Sequence, residues 1–569
     1  MRSRMHRREL LGRLSRGAVG AAGLAGVGAF SAAGADAAGG LSVSVNTLTA
    51  RRQELPPDVV SHLEPAPTKF DPPINVTTVA NAWPTIQYAS GDDINNNPWS
   101  RAYAEKLGVT VESEWAVPPD QYPERVNLML ASGDLPDFFQ ANDTQLKQLV
   151  ENDLLADLTD VYQQSASERV KQAMTDGGPL PIQASTFDGQ LMAFPHATVA
   201  KEGAPVLWVR SDWIEQLGLP EPTSIQNLLA VAEGFAANDP AGSGGAVGLG
   251  MDKDLNYLVG FANGHHAYRA LWLDDGSGYL AYSSIQPQMK EALTQLQAMH
   301  EAGQIDQEFG VKDGPTTWQD IAAGRIGLFY GSGYSGFVPL ENSKRADPNA
   351  RWTPYPIPSI DAEAARPQVG LGIAGYWVVN KDVQHPEALL AMLDFWVGTF
   401  YENTSDAIYE HFVQAGDSEN WRMNAIQVVI PFKNLDQSQA ITDLIESGST
   451  DTSNLTAEGR SNYENIVSWL DNENIDGWAW DRVFGPTGGM QQVVKTYVAE
   501  DRFTQSQFYG AATPAMVSRQ SSLTTMELET FTRIIRGESM DEFDQFVDDW
   551  KQLGGDDITR EVNEWRATQ

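Results

Sequence analysis

The stretch Leu207–Gly245, LWVRSDWIEQLGLPEPTSIQNLLAVAEGFAANDPAGSGG, changes its hydrophobic period within a short span, and that change limits what the chain can fold into. Val206, Leu207 and Val209 around Trp208 form an unbroken apolar run. Such a run predicts a strand covered on both faces, of the parallel kind. The period then becomes helical. Ser211 is placed to cap a short helix carrying Trp213, Ile214 and Leu217, and Gly218 to end it in the left-handed conformation. Thr223 with Gln226 three residues on reads as a capping box, after which Ile225, Leu228, Leu229, Ala232 and Phe235 recur at helical spacing. The piece is strand, helix, turn, helix: an α/β unit.

The same alternation begins at Ile74. INVTTVANAW reads as a strand, PWSRAYAEKLGV as a helix ending at Gly108, TVESEWAV as a strand and QYPERVNLMLASG as a helix. LPDFFQAN is a short buried strand leading into a loop, and TQLKQLVENDLLADL another helix. Alternation of this kind predicts an α/β fold with a parallel or mixed sheet and helices on both faces. Ligands then gather at the carboxyl ends of the strands. A second α/β region starts near Val199. In it Met289, Ala292, Leu293, Leu296 and Met299 mark one helix face closed by Gly303, and AAGRIGLFYGSGYSGF is a strand running into a glycine-rich loop. VGLGIAGYWVVNK is a further strand, followed by Pro386 at the first position of an apolar helix. Ser539 and Glu542 are spaced to cap a helix bearing Phe543, Phe546, Val547 and Trp550. A chain of 569 residues exceeds what a single core sustains, so two or more lobes are expected.

Charge excludes one class of partner. With 75 acidic against 39 basic residues and a net charge of −36, the chain would repel nucleic-acid phosphates and disfavours an anionic membrane surface. The first 37 residues are the exception, with Arg2, Arg4, Arg7, Arg8, Arg13 and Arg16 against Glu9 and Asp36. A basic start, a Gly/Ala-rich run from Gly17 to Ala33 and the small-residue site Ala35-Asp36-Ala37 predict a cleaved signal peptide over 1–37. Arg7 and Arg8 before Leu10 and Leu11 resemble the twin-arginine signals that export folded proteins. The expected location is extracytoplasmic, periplasmic or cell-surface associated. Cysteine is absent, which excludes a lipid anchor through an N-terminal Cys, thiolate metal sites and thiol catalysis. Residues 38–70 are Pro-rich and weakly periodic, and read as an extended tether.

Several phrases, taken in order, resemble a known family. They are SGDLPDFFQAN, WVRSDWIEQLGLPEPTSIQNLLAVAEGFAANDP, EAGQIDQEF before IAAGRIGLFYGSGYSGF, NKDVQHPEALLAMLDFW, and FYGAATPAM leading to FTRIIRGESMDEFDQFVDDWKQLGGDDITREVNEW. The chain is similar over about Ile74 to Trp565 to the family 1 extracellular solute-binding proteins of ABC importers, in the subgroup of LplA- and LipO-like lipoproteins and oligosaccharide binders. The resemblance implies a periplasmic-binding-protein-like α/β clamp of two discontinuous lobes joined by a multi-crossing hinge. Its crossings are expected near Val199–Pro205, near Gln368–Gly372, and once or more between about 400 and 512. The first lobe takes residues 71–198 and returns over 369–505 with additional helices. The second takes 199–368 and is completed, with the hinge, by 506–569. It also implies a function: capture of a carbohydrate, an oligosaccharide, between the lobes and delivery to ABC permease membrane subunits, by a monomer without catalysis or cofactor. The alternative is a secreted polysaccharide hydrolase or lyase. H-E-x-x-H, G-x-S-x-G and P-loop signatures are all missing from the sequence.

The 16 Trp and 17 Tyr suit a sugar site, because flat aromatic faces cover the apolar faces of pyranose rings while Asn, Asp and Arg pair with their hydroxyls. Position at strand ends or in glycine-rich loops selects Trp83, Asn97 and Trp99, Asp137 and Asn142, Trp208 and Arg210, Tyr330, Ser332 and Tyr334, and Trp377. Trp213, Trp396 and Trp550 lie in helical patterns and are expected in the core. The adjacent pair His265 and His266 reads as a loop. Family members often carry an Asp-Pro-Asn-Gly-Asn-Gly segment suited to calcium. Here Asp239 and Pro240 remain, but Ala241, Ser243, Gly245 and Ala246 replace the oxygen-bearing positions. No metal is therefore assigned, Asp239 being the sole candidate ligand.

Overall fold

A computed structural model describes residues 55–63 and 68–569. The signal-peptide residues Arg7, Arg8, Ala35 and Ala37, and most of the tether, lie outside the described residues. The chain divides into two compact units. One holds Val199–Gly372 with Pro431–Gln569; the other holds the described residues up to Thr198 with Ile373–Ile430.

In the unit containing Ile373–Ile430, the strands Ile74–Asn81 and Val109–Val117 run parallel, Ile74 opposite Val109. Beside them the strand Ile373–Val379 forms the centre of a three-stranded sheet, antiparallel to both Phe138–Ala141 and Ala193–Ala197. The Thr77 amide donates to the Asp137 carboxylate at 2.7 Å and the Asp137 amide to the Thr77 hydroxyl at 2.9 Å, a reciprocal bond between neighbouring strands. The helix Ala388–Val397 follows; every one of its residues is buried. It starts two residues after Pro386, with Glu387 at its cap. A wholly buried helix is apolar all round, and its one charge, Asp394, is met by Arg169 at 2.7 Å. The tether expectation needs correction. Pro57–His62 is a helix, and Leu55, Val59 and Leu63 at intervals of four join the same core. Val59 lies within the helix while Leu55 and Leu63 flank its two ends, an apolar spacing that the surrounding prolines obscured.

The other unit is built on a four-stranded sheet in the order Trp352–Tyr355, Val206–Arg210, Ile326–Gly331, Val247–Leu249. Val206–Arg210 is buried at every residue, as the unbroken apolar run predicts, yet it is antiparallel to both neighbours. An unbroken run reports burial on two faces and carries no information on strand direction. The only parallel pairing in this sheet is between Ile326–Gly331 and Val247–Leu249. The following helix begins at Ser211 itself without a side-chain cap and ends at Gly218 with φ 61°. The next, Ile225–Asn238, is capped by Ser224, whose hydroxyl accepts from the Asn227 amide at 3.2 Å, so the cap sits one residue beyond Thr223.

Residues 431–505 also differ from expectation. The helices Lys433–Ser447, Ala457–Asn472, Ile475–Phe484 and Met490–Ala499 belong to the unit with Val199–Gly372 rather than returning to the first. The buried Tyr497 hydroxyl accepts from the Ile357 amide at 2.8 Å, tying the last of them to this unit's core. Pro514–Ile535 and Asp541–Trp550 complete that core, where Trp550 stacks on Tyr282 at 4.8 Å and 7°. Ser539 accepts from the Asp541 amide at 3.2 Å, but the reciprocal bond of a capping box is absent among the described contacts. Trp213, Trp396 and Trp550 are each 1% exposed and lie in cores.

Candidate functional site

A cavity of about 110 Å³ opens in the unit containing Ile373–Ile430. The central strand brings Trp377 to it, the strand Ala193–Ala197 brings His196, and the end of Ile74–Asn81 brings Asn81 and then Trp83. A segment near 420–427 closes it with Arg422. Alternation along paired strands explains the first group, since Trp377 lies opposite both Gln140 and Phe194 in register.

Trp377 is held rigidly. Its indole nitrogen donates to the Gln427 carbonyl at 2.7 Å, and its ring stacks on His196 at 5.9 Å. Only 7% of the residue is exposed, so a small part of the ring reaches the cavity. Burial pushes the His196 imidazole down to about 4, so the ring is neutral at pH 7. Its Nδ1 lies 2.7 Å from the Gln140 amide nitrogen; with that amide donating, the ring proton sits on Nε2. Gln140 passes close over Gly375, where a Cβ would come within 2.9 Å of the amide nitrogen. Glycine at 375 is what admits this contact.

Arg422 sits in the single turn Asn420–Met423. Its guanidinium lies 4.1 Å from the centre of the Trp83 ring and 4.2 Å from that of Trp421, with Nε paired to Glu419. Among the described residues lining the cavity it is the one charged side chain at neutral pH. The Asn81 side-chain amide and the Ser113 hydroxyl line the cavity and make no hydrogen bond within the described protein. Asn424 is fully engaged, accepting from the Tyr103 hydroxyl and donating to the Ile426 carbonyl.

Of the residues selected from sequence, Trp83, Asn97, Trp99 and Trp377 line this cavity. Two of them shape its wall without offering a free group. The Asn97 side chain accepts from the Trp99 and Ser100 amides and donates to the Asp93 and Ile94 carbonyls. Trp99 is fully buried, donates to the Phe412 and Asn420 carbonyls at 3.1 Å, and packs against Trp396 and Phe412. Asp137 is committed to Thr77, and Asn142 caps the helix Asp143–Glu151.

The remaining five belong to the other unit. Trp208 is wholly buried, its indole nitrogen 3.4 Å from the Ser332 carbonyl. Arg210, 1% exposed, pairs with Asp212 and Asp347 and lies over Trp213 at 4.5 Å. Tyr330 is buried, with a hydroxyl that finds no partner among the described residues. Ser332 and Tyr334 stay half-buried at the short turn Gly333–Gly336, Tyr334 lying 6.5 Å from Trp318. The Asp239 carboxylate is spent on its own turn, accepting from the Ser243 amide and hydroxyl and from the Gly244 amide at 2.8 to 3.0 Å. Among the described residues no group of three or more His, Asp or Glu is placed to hold a metal.

Sequence reasoning passed over His196, Gln140 and Arg422. The first two follow from strand alternation once the pairing of Ile373–Val379 is known. Arg422 lies in an aperiodic turn; its one local signal is the neighbouring Trp421 in NWRM.

Comparison with known proteins extends this picture. The family model of the bacterial extracellular solute-binding protein matches residues 91–399, more than half the chain. The fructooligosaccharide ABC transporter substrate-binding protein FusA of Streptococcus pneumoniae serotype 4 is 24% identical over 219 residues, 35% of this chain and 40% of its own. The polygalacturonan/rhamnogalacturonan-binding protein YtcQ of Bacillus subtilis is 21% identical over 236 residues, 40% of this chain and 45% of its own. The chain thus spans under half the length of these relatives. Among solved structures, an HMO-binding ABC-transporter-associated solute-binding protein from Bifidobacterium longum infantis has a TM-score of 0.59 at 14% identity, covering 87% of this chain and 98% of its own. That likeness fixes the fold as the two-lobed α/β type expected from the order of motifs. The family consists of binding proteins rather than enzymes, and the hydrolase or lyase alternative finds no support. No helix among the described residues is long and apolar enough to cross a membrane. The chain belongs to the bacterial extracellular solute-binding protein family.

Proposed function

We propose that this protein is an extracytoplasmic receptor that captures an oligosaccharide and delivers it, chemically unchanged, to an ABC-type permease. The observation that carries the reading is the cavity in which Trp83, Trp377, neutral His196 and Arg422 stand beside the unpaired Asn81 amide and Ser113 hydroxyl. Aromatic surface covers the C–H faces of a sugar ring while fixed polar groups take its hydroxyls. The relatives described above as binding fructooligosaccharide and polygalacturonan or rhamnogalacturonan support the carbohydrate class. Of the residues selected from sequence, Trp83 and Trp377 are proposed to touch the ligand, with Asn97 and Trp99 holding the wall behind them. Trp208, Arg210 and Tyr330 act through packing. Export through the twin-arginine route, on Arg7 and Arg8, delivery to permease subunits and action as a monomer are parts of the same proposal.

The test is calorimetric titration of the full chain against a panel of plant and bacterial oligosaccharides. The proposal expects one class to bind with one-to-one stoichiometry and to be recovered intact by mass spectrometry. Cleavage of the bound sugar, or tight binding of a peptide in place of any sugar, contradicts it.

A further inference from the structure

We propose that the oligosaccharide is an acidic one, a chain of uronic-acid units, and that Arg422 receives a carboxylate of the sugar. This rests on the oligosaccharide reading above and narrows it.

The Arg422 guanidinium is anchored at the cavity with part of its hydrogen-bonding capacity unused. Its central carbon lies over the indoles of Trp83 and Trp421, 4.1 and 4.2 Å from their centres, and these contacts hold the group in place. Glu419 engages Nε alone. The two terminal nitrogens have no hydrogen-bond partner among the described residues, and the side chain keeps 19% exposure where it lines the cavity. Two parallel N–H donors on a rigid, immobilised fork match the two oxygens of a carboxylate, and charge assistance makes such a bond shorter and stronger than a neutral one. Stacking on two rings removes the rotamer entropy that a free arginine would lose on binding.

The rest of the lining agrees. The chain carries 75 acidic residues, yet none of the described residues lining the cavity is Asp or Glu. The nearest acid is Glu419, which does not line the cavity and whose carboxylate is held on Nε, so a sugar carboxylate on the terminal nitrogens shares the guanidinium with it; at physiological ionic strength more distant negative charges are screened beyond about 8 Å. His196 is neutral, and with its proton on Nε2 it offers a donor without adding charge. The Asn81 amide and the Ser113 hydroxyl remain for sugar hydroxyls.

The test pairs uronate oligomers of three to six units with their neutral hexose counterparts of the same linkage. Each is titrated by calorimetry into the full chain and into Arg422→Gln and Arg422→Lys at one fixed ionic strength. The expected result is uronate binding about tenfold or more tighter than the neutral counterpart. Arg422→Gln should lose at least about tenfold on the uronate and under about threefold on the neutral sugar, and Arg422→Lys should recover only part, because a point charge lacks the fork. Thermal melts of each variant establish that it is folded. Should Arg422→Gln fail to fold, the carboxyl-reduced uronate titrated into the wild-type chain poses the same question and should bind about tenfold more weakly than the parent. Three results would overturn the inference while leaving the oligosaccharide reading intact: equal or tighter binding of the neutral sugar, equal losses on both sugars in Arg422→Gln, or preference for a sulfated neutral oligomer over the uronate. Binding of neither sugar class overturns both.

Discussion

Replacing Glu202 with glutamine should raise the stability of the unit that contains it at alkaline pH and flatten that unit's pH dependence. Glu202 is 1% exposed. Its carboxyl accepts from the Leu435 amide at 2.7 Å and from the Asn434 side chain at 2.9 Å. The nearest cation, Lys433, is already paired with Glu458 at 2.6 Å. Burial therefore outweighs the hydrogen bonds, and the carboxyl is pushed up to about 8 from an ordinary 4.5. Between those values the folded chain holds a proton on Glu202 that the unfolded chain releases, so stability falls as pH rises across that window. At about 1.4 kcal/mol per pH unit the accumulated loss by pH 8 is on the order of a few kcal/mol. Glutamine keeps the shape and one acceptor oxygen for the Leu435 amide, and its NH2 is met by turning the Asn434 amide so that its oxygen accepts, all without the titration. The assay is urea unfolding of wild type and variant from pH 5 to 9, read as the difference between them. The difference is needed because His196 and His265, each pushed down to about 4 by burial, oppose the trend below pH 6.5. Their folded forms release protons that the unfolded chain retains, which makes stability rise with pH there. The variant should gain steadily on wild type from about pH 5 to about pH 8. A difference that is constant with pH would refute the reasoning, showing that Glu202 ionises as an ordinary exposed carboxylate does.

Three further outcomes follow from the packing. Trp83→Ala, at a half-buried ring on the cavity edge, should weaken oligosaccharide binding by about 1–3 kcal/mol in a calorimetric titration with little change in melting temperature. Trp99→Ala removes a wholly buried ring with two indole hydrogen bonds, and should lower unfolding free energy by about 3–5 kcal/mol in urea titrations. Chelator should leave the melting temperature unchanged, because the Asp239 carboxylate is satisfied by Ser243 and Gly244; a fall reversed by calcium would show that a cation binds the native state.

The sequence was readable where burial imposes a period. Pro287–Glu301 buries Met289, Ala292, Leu293, Leu296 and Met299, the face that helical spacing selects, and Gly303 follows with φ 72°. Strand direction was not readable. Val206–Arg210 has the composition of a strand covered on both sides, but its antiparallel partners, Ile326–Gly331 and Trp352–Tyr355, are far off in the chain and leave no local mark. Aromatic side chains at strand ends were a mixed guide to the site. Trp83 and Trp377 reach the cavity, whereas Trp208 has the same local setting and is sealed in a core, because exposure of a strand end is decided by what packs across it. Arg422 illustrates the limit: its role depends on Trp83, hundreds of residues away, meeting it in space, and no spacing rule within one segment encodes that.

The central claim is that a sugar occupies the cavity beside Trp83, His196 and Arg422. A crystal structure of the full chain with the oligosaccharide identified by titration tests it most directly. The account predicts a sugar ring against Trp83 with its polar groups within hydrogen-bond distance of His196, Asn81 or Arg422. Sugar density at another place on the chain, with this cavity empty, would contradict it.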